Sequence, residues 1–152
     1  MIEISGLADV TRTIQVSLAP VFLLTGIGAM LNVFSGRLGR VIDRARKIEA
    51  LHGSSTGDEH VRHVTELRIL DRRIYLVSHA IFLCTASAIA VCGVVAVLFI
   101  AGLSGYHLAK FVALLFIFAT ILLVAGLVLF AIEVRIATRA VQVRKELLER
   151  HR

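Results

Sequence analysis

"IYLVSHAIFLCTASAIAVCGVVAVLFIAGL", residues 74–103, decides the fold. It runs for 30 residues without Asp, Glu, Lys or Arg. A helix crosses a hydrocarbon core of about 30 Å with about 20 apolar residues. This run exceeds that need, which predicts a helix that tilts or extends past the core. Two other runs, residues 14–34 and 108–132, also meet it, with Lys110 at the edge of the last as their one charged residue. The expected fold class is therefore an all-α membrane protein with three transmembrane helices. Composition agrees: the chain is 57% apolar with a mean hydropathy of +0.83, whereas soluble domains average about 45–50% apolar.

Charge placement sets the expected orientation. Between the first two runs lie Arg37, Arg40, Arg44, Arg46, Lys47, Arg62, Arg68, Arg72 and Arg73. After the third lie Arg135, Arg139, Arg144, Lys145, Arg150 and Arg152. The opposite side carries Arg12 and Lys110, balanced by Glu3 and Asp9. Basic segments stay in the cytosol, so the reading is N-terminus out, central segment and C-terminus in. The net charge of +6 then lies on the cytosolic side, which argues against specific nucleic-acid binding and for contact with anionic headgroups. With Glu3 and Asp9 ahead of its first basic residue, the start of the chain lacks a secretory signal's basic segment, and the first run is expected to be a retained helix.

The helices are expected to outrun the membrane. Leu38, Val41, Ile42, Ala45, Ile48 and Leu51 continue the first run at helical spacing. "GSSTGD", residues 53–58, is a turn, and Thr56 with Glu59 matches a capping box. Val61, Val64, Leu67, Leu70 and Ile74 lead into the second run. Residues 35–73 thus read as a cytosolic helical hairpin. After the third run, residues 133–152 read as a cytosolic helix; Ile132, Ile136, Ala140, Val143 and Leu147 follow a near-heptad seam. The expected result is a coiled-coil-like bundle. "GLSGYH", residues 102–107, is the outer turn, with Tyr106 and Tyr75 as interfacial anchors. Pro20 implies a bend.

At 100° per residue, Thr25, Gly28, Asn32, Ser35, Gly36, Gly39 and Asp43 share a face about 100° wide. Small residues let helices approach closely in lipid, so one reading of this stripe is packing. The other is a pore lining with Asn32 as its constriction, since an amide at that depth needs partners. Beside it Arg37, Arg40, Arg44 and Lys47 form a basic stripe, either a solvated stop-transfer cluster or an arginine ring under an oligomeric pore. Asp43 lies within ion-pair reach of Arg40, Arg46 and Lys47. In the second run Ala80, Cys84, Ala88, Cys92 and Ala96 recur every four residues, which predicts a helix between neighbours.

His79 and Glu133 lie at similar depths near the inner surface, as a candidate proton-sensitive pair. His52, His60 and His63 cluster near the turn, but their spacing is ordinary for a helix, and no metal site is expected. Cys84 and Cys92 lie two turns apart, about 12 Å along one helix, too far for a disulfide. No phosphate-binding loop, nucleophile elbow, H-E-x-x-H or C-x-x-C motif occurs. No acidic residue lies mid-run as ion coupling usually needs. The expectation is a protein without catalytic residues or cofactors.

"PVFLLTGIGAMLNVFSGRLGRVIDRARKIE", residues 20–49, resembles an uncharacterised family of small three-span bacterial inner-membrane proteins that carry a domain of unknown function. The resemblance rests on Pro20, Asn32, Arg37, Arg40, Asp43, Arg44 and Arg46. It implies the bacterial inner membrane and implies no activity. The expected function is a homo-oligomeric, non-enzymatic membrane assembly or scaffold that docks itself or a cytosolic protein partner. The alternative is an oligomeric channel lined by the first helix.

Overall fold

In a computed structural model, the backbone is described for residues 2–52, 57–104 and 108–148. Side chains are described for residues 14–50, 63–103 and 108–138 and a few others. These residues form three helices, α1 (Ile2–His52), α2 (Asp58–Ser104) and α3 (Ala109–Leu148), and among them no strand occurs. The helices have 51, 47 and 40 residues, which at 1.5 Å per residue is about 60–76 Å. Each contains a segment long and apolar enough to cross a membrane: Ile14–Ala50, His63–Leu103 and Ala109–Thr138. Helix α1 continues through Pro20, which has no N–H to offer the carbonyl four residues back.

Helix α1 ends where the turn residues begin. Gly57 has φ 72°, a left-handed conformation that costs an L side chain, and its carbonyl accepts from the His60 N–H at 3.1 Å. The expected cap of Thr56 and Glu59 and the anchor Tyr106 lie outside the described residues.

The buried positions show why these sequences pack. On α1 they include Pro20, Ile27, Phe34, Val41 and Ile48, each seven residues from the next. On α2 they are Leu70, Val77, Ala80, Cys84, Ser87, Val91 and Val94, and on α3 Ala119, Leu123, Gly126 and Glu133. Steps of three, four and seven keep one stripe of each helix turned inward. The four-residue series expected on α2 follows this stripe only at Ala80 and Cys84; Cys92 and Ala96 are exposed, because a step of four drifts off a 3.5-residue seam. Of the seam expected on α3, Ile132 is exposed, Glu133 takes the inward position and Ile136 is half-buried. Ala140, Val143 and Leu147 lie outside the described side chains.

The chain forms two compact units. The first comprises the residues up to Leu31 with Leu83–Ala125. Its core is built from Ile27, Cys84, Ser87, Val91, Val94, Ala119 and Leu123. Small residues bring α2 and α3 together: the fully buried Ser87 Oγ donates to the Ala119 carbonyl at 2.7 Å. A Cβ built on Gly93 would meet Leu115 Cδ2 at 3.5 Å, an ordinary contact. An apolar cavity of about 560 Å³ lies among Val16, Pro20, Leu98, Val112 and Phe116. The second unit comprises Asn32–Phe82 with the chain from Gly126 onward. There Val41, Ile48 and Leu70 form a core joined by Ala45, Leu67 and Ile74, which closes the hairpin; Val61 and Val64 are exposed.

Large apolar side chains cover the outside: Phe22 is 72% exposed, Phe82 68% and Leu103 80%. Apolar surface on this scale marks an interaction site in a water-soluble chain, and here it lies on helices apolar enough to span. The chain is a multi-pass membrane protein. The small contact between α2 and α3 yields a ranked prediction. Ala119→Leu must displace Ser87 and should cost about 1–3 kcal/mol. Ser87→Ala loses one buried hydrogen bond and should cost about 0.5–1.5 kcal/mol. Denaturant titration of helicity in micelles, read by circular dichroism, measures both.

Candidate functional site

The polar centre of the second unit lies at the ends of the apolar runs. Glu133 follows the third run directly, Arg73 precedes the second directly, and Arg37 lies one turn beyond Phe34 at the end of the first. The inward seam of α3 carries the Glu133 side chain to complete burial. Arg73 donates from Nε at 3.0 Å and Nη2 at 2.8 Å to Glu133 Oε1. Arg37 donates from Nη1 at 3.3 Å to Oε2. One carboxylate thus joins α1, α2 and α3, with a partner on each oxygen.

Aromatic rings border this triad. Phe34 and Phe130 stack with centroids 4.0 Å apart. The Arg37 guanidinium lies 5.4 Å from the Phe130 centroid, within reach of a cation–π attraction. Phe34 and Phe130 each precede their ionic neighbour by three residues, about one helical turn. Farther along the hairpin, Arg44 donates to Glu66 Oε1 from Nε at 3.0 Å and Nη2 at 2.7 Å. Both of those side chains are more than two-fifths exposed, so that pair contributes at most about 1 kcal/mol.

The expected pairing of His79 with Glu133 is corrected. His79 Nδ1 lies 2.9 Å from the Tyr75 carbonyl, and its ring lies 3.9 Å from the Tyr75 ring. The arginines take Glu133 because a buried carboxylate gains more from two charged, multidentate donors than from one exposed imidazole. Asp43 makes no ion pair with Arg40, Arg46 or Lys47 among the described residues, and Arg44 reaches across to Glu66. The basic stripe therefore divides: Arg37 and Arg44 are paired, while Arg40 and Lys47 have no ion-pair partner among the described residues. Arg37, Arg40, Arg44 and Arg73 with Val41 and Leu70 surround a cavity of about 300 Å³.

The seven residues of the small-and-polar stripe, Thr25, Gly28, Asn32, Ser35, Gly36, Gly39 and Asp43, are all exposed. Nothing lies within 4 Å of a Cβ built on Gly28, Gly36 or Gly39. Helix geometry puts the stripe about 150° from the buried positions of α1. Packing within the chain therefore does not account for it. Thr25 Oγ1 donates to the Val21 carbonyl at 3.2 Å. Among the described residues no group of three His, Cys, Asp or Glu is placed to hold a metal; the His52 side chain lies outside them, and His60 and His63 have partners of their own. Cys84 and Cys92 are free thiols, one buried and one exposed.

The triad's stability contribution follows from its burial. Glu133→Gln leaves two guanidiniums without their counter-ion and should cost about 3–5 kcal/mol. Arg73→Gln, with two hydrogen bonds at stake, should cost more than Arg37→Gln, with one long bond. Combined Arg37→Met, Arg73→Met and Glu133→Leu should cost less than Glu133→Gln alone, because no charge is then orphaned. Denaturant midpoints of the four proteins in micelles give the order.

A family model described as a protein of unknown function, DUF2721, matches residues 17–143. No curated protein and no solved structure matches the chain. The chain belongs to the DUF2721 family, and the matched segment contains the arginine–glutamate triad, the basic stripe and the exposed stripe of α1.

Proposed function

We propose that this member of the DUF2721 family is a non-enzymatic scaffold that assembles into homo-oligomers through the outward face of α1. The observation that carries this reading is the placement of the small-and-polar stripe. It lies opposite the buried positions of α1, exposed throughout and with open space at Gly28, Gly36 and Gly39. Within a bilayer, small residues are where helices approach closely, and an amide such as Asn32 gains by bonding across to a neighbour. A second copy of α1 supplies both. Long helices ending in a charged hairpin then present a surface to a cytosolic protein partner. Basic residues concentrated between the first two runs and after the third support a C-terminus on the cytosolic side of a bacterial inner membrane.

A channel lined by α1 is the second reading, favoured by the same exposed face around Asn32. Its arginine ring is less well supported, since Arg37 is held by Glu133 and Arg44 by Glu66.

The glycines provide a clean test. A Cβ at Gly36 meets nothing within 4 Å, and the position is exposed, so in Gly36→Leu helicity and unfolding midpoint should hold while association is lost. In a Cys92→Ala background, Asn32→Cys should cross-link between copies in nanodiscs, and Phe118→Cys on α3 should not. Adding Gly36→Leu should reduce the Asn32→Cys cross-link at least tenfold, the effect of about 1.4 kcal/mol. Equal cross-linking at both positions, or none at Asn32→Cys, would sink the assembly reading. Single-channel recording of wild type, Asn32→Ala and Arg37→Ala separates the two readings: a scaffold passes no current, whereas a channel passes current that Asn32→Ala alters.

A further inference from the structure

We propose that the arginine-lined cavity of α1 and α2 binds a phosphate group, supplied by the headgroup of an anionic phospholipid. Arg37, Arg40, Arg44 and Arg73 border about 300 Å³ of space. At ~30 Å³ per water, that holds a phosphate with several waters. Two carboxylates, Glu133 and Glu66, pair with three of these four arginines, so the cluster keeps a net charge of +2. Each guanidinium has five N–H donors. Arg73 and Arg44 each commit two and Arg37 commits one. Arg40 has no ion-pair or hydrogen-bond partner among the described residues and is exposed.

Most of the donors in this cavity are thus left over after the protein's own acceptors are used. Glu133, completely buried, holds Arg37 and Arg73 in place, so that half of the cluster is preorganised before any ligand arrives. Phosphate oxygens match the planar, forked donors of arginine better than water does. Position selects the lipid source. The cavity begins one turn beyond Phe34 and directly before Ile74, at the ends of two apolar runs. Basic pockets between membrane helices at that level take anionic headgroups.

The test uses the full chain in neutral detergent micelles, with thermal unfolding followed by circular dichroism. Phosphatidylglycerol, phosphatidylcholine and inorganic phosphate are titrated separately, and the rise in midpoint gives an apparent affinity. Phosphatidylglycerol is expected to raise the midpoint and phosphatidylcholine to leave it unmoved. Arg40→Gln should weaken the phosphatidylglycerol effect roughly fivefold, the weight of one interfacial charge, without changing the ligand-free midpoint. Arg44→Gln should also weaken it, while Arg68→Gln, on an exposed position of α2 outside the cavity, should not. A shift by inorganic phosphate that depends on Arg40, with phosphatidylglycerol no better than phosphatidylcholine, keeps the anion site and moves its source to free phosphate. No response to either, or equal loss in Arg40→Gln and Arg68→Gln, overturns the site. The lipid source rests on the interfacial placement proposed above, whereas the phosphate arm does not. Assembly is read separately, by cross-linking.

Discussion

A carboxylate held between two guanidiniums, with no exposed surface of its own, is the constraint on which the second unit depends. Removing an ion from water costs several kcal/mol even after the protein relaxes. Glu133 accepts three hydrogen bonds from Arg73 and Arg37, which offset that cost only while both partners stay in place. The geometry has a topological consequence. Residues 34, 74 and 132 end or begin the three apolar runs, and Arg37, Arg73 and Glu133 bring those boundaries together. The helices therefore change from apolar to charged at one common level. Phe34 and Phe130 lie on the apolar side of that level and shield the ion pairs there.

The same helix that contributes Arg37 has two faces of opposite character. Its inward face is a seven-residue series of apolar side chains. Its exposed side carries a stripe of glycine, serine, threonine, asparagine and aspartate, beside exposed apolar residues such as Phe22 and Val33. A lipid-facing helix needs neither glycine nor asparagine; leucine would serve, since lipid tails are as apolar as leucine. Contrast α3, whose outward face carries Phe111, Leu114, Ile117, Phe118 and Ile121. The contrast between α1 and α3 is what favours the proposed assembly through α1 over one through α3.

Much of the fold was legible because bilayer thickness imposes a length on apolar runs, and three runs of that length leave few alternatives. The turn at residues 53–58 was equally plain, because glycine and serine interrupt a periodic pattern; Gly57 adopts the left-handed conformation that such turns use. The triad was not legible in the same way. Glu133 was visible as a lone acid at the end of a run, but its partners lie 60 and 96 residues away in sequence. Depth along the helices points to His79, which lies at a similar level, and carries no information about which face of α3 is buried. The missed signal was the spacing of Ala119, Gly126 and Glu133, seven residues apart, which places the acid on the buried side. An acid there requires cations from both other helices, and Arg37 and Arg73 are the basic residues nearest the ends of their runs. At Ile132 the expected near-heptad seam departs from the structure for the same reason: hydrophobicity passes over the buried charge next to it.

That buried charge also resolves an ambiguity that apolar packing leaves open. In the second unit the inward positions of α3 among the described residues are Gly126 and Glu133, and glycine has no side chain with which to hold the helix to one register. A slide of seven residues would bring Gly126 opposite Arg37 and Arg73 and carry Glu133 away from both. Three charges would then lose their partners, at several kcal/mol each. Within the second unit Glu133 thus sets the register of α3 against the other two helices, as a single polar residue does in a coiled-coil seam. Register in turn limits how that part of α1 can turn. With Arg37 held toward Glu133, its rotation is restricted, and the stripe residues of the same unit, Asn32, Ser35, Gly36, Gly39 and Asp43, are kept outward. The interior ion pair and the exposed face of α1 are therefore two consequences of one constraint.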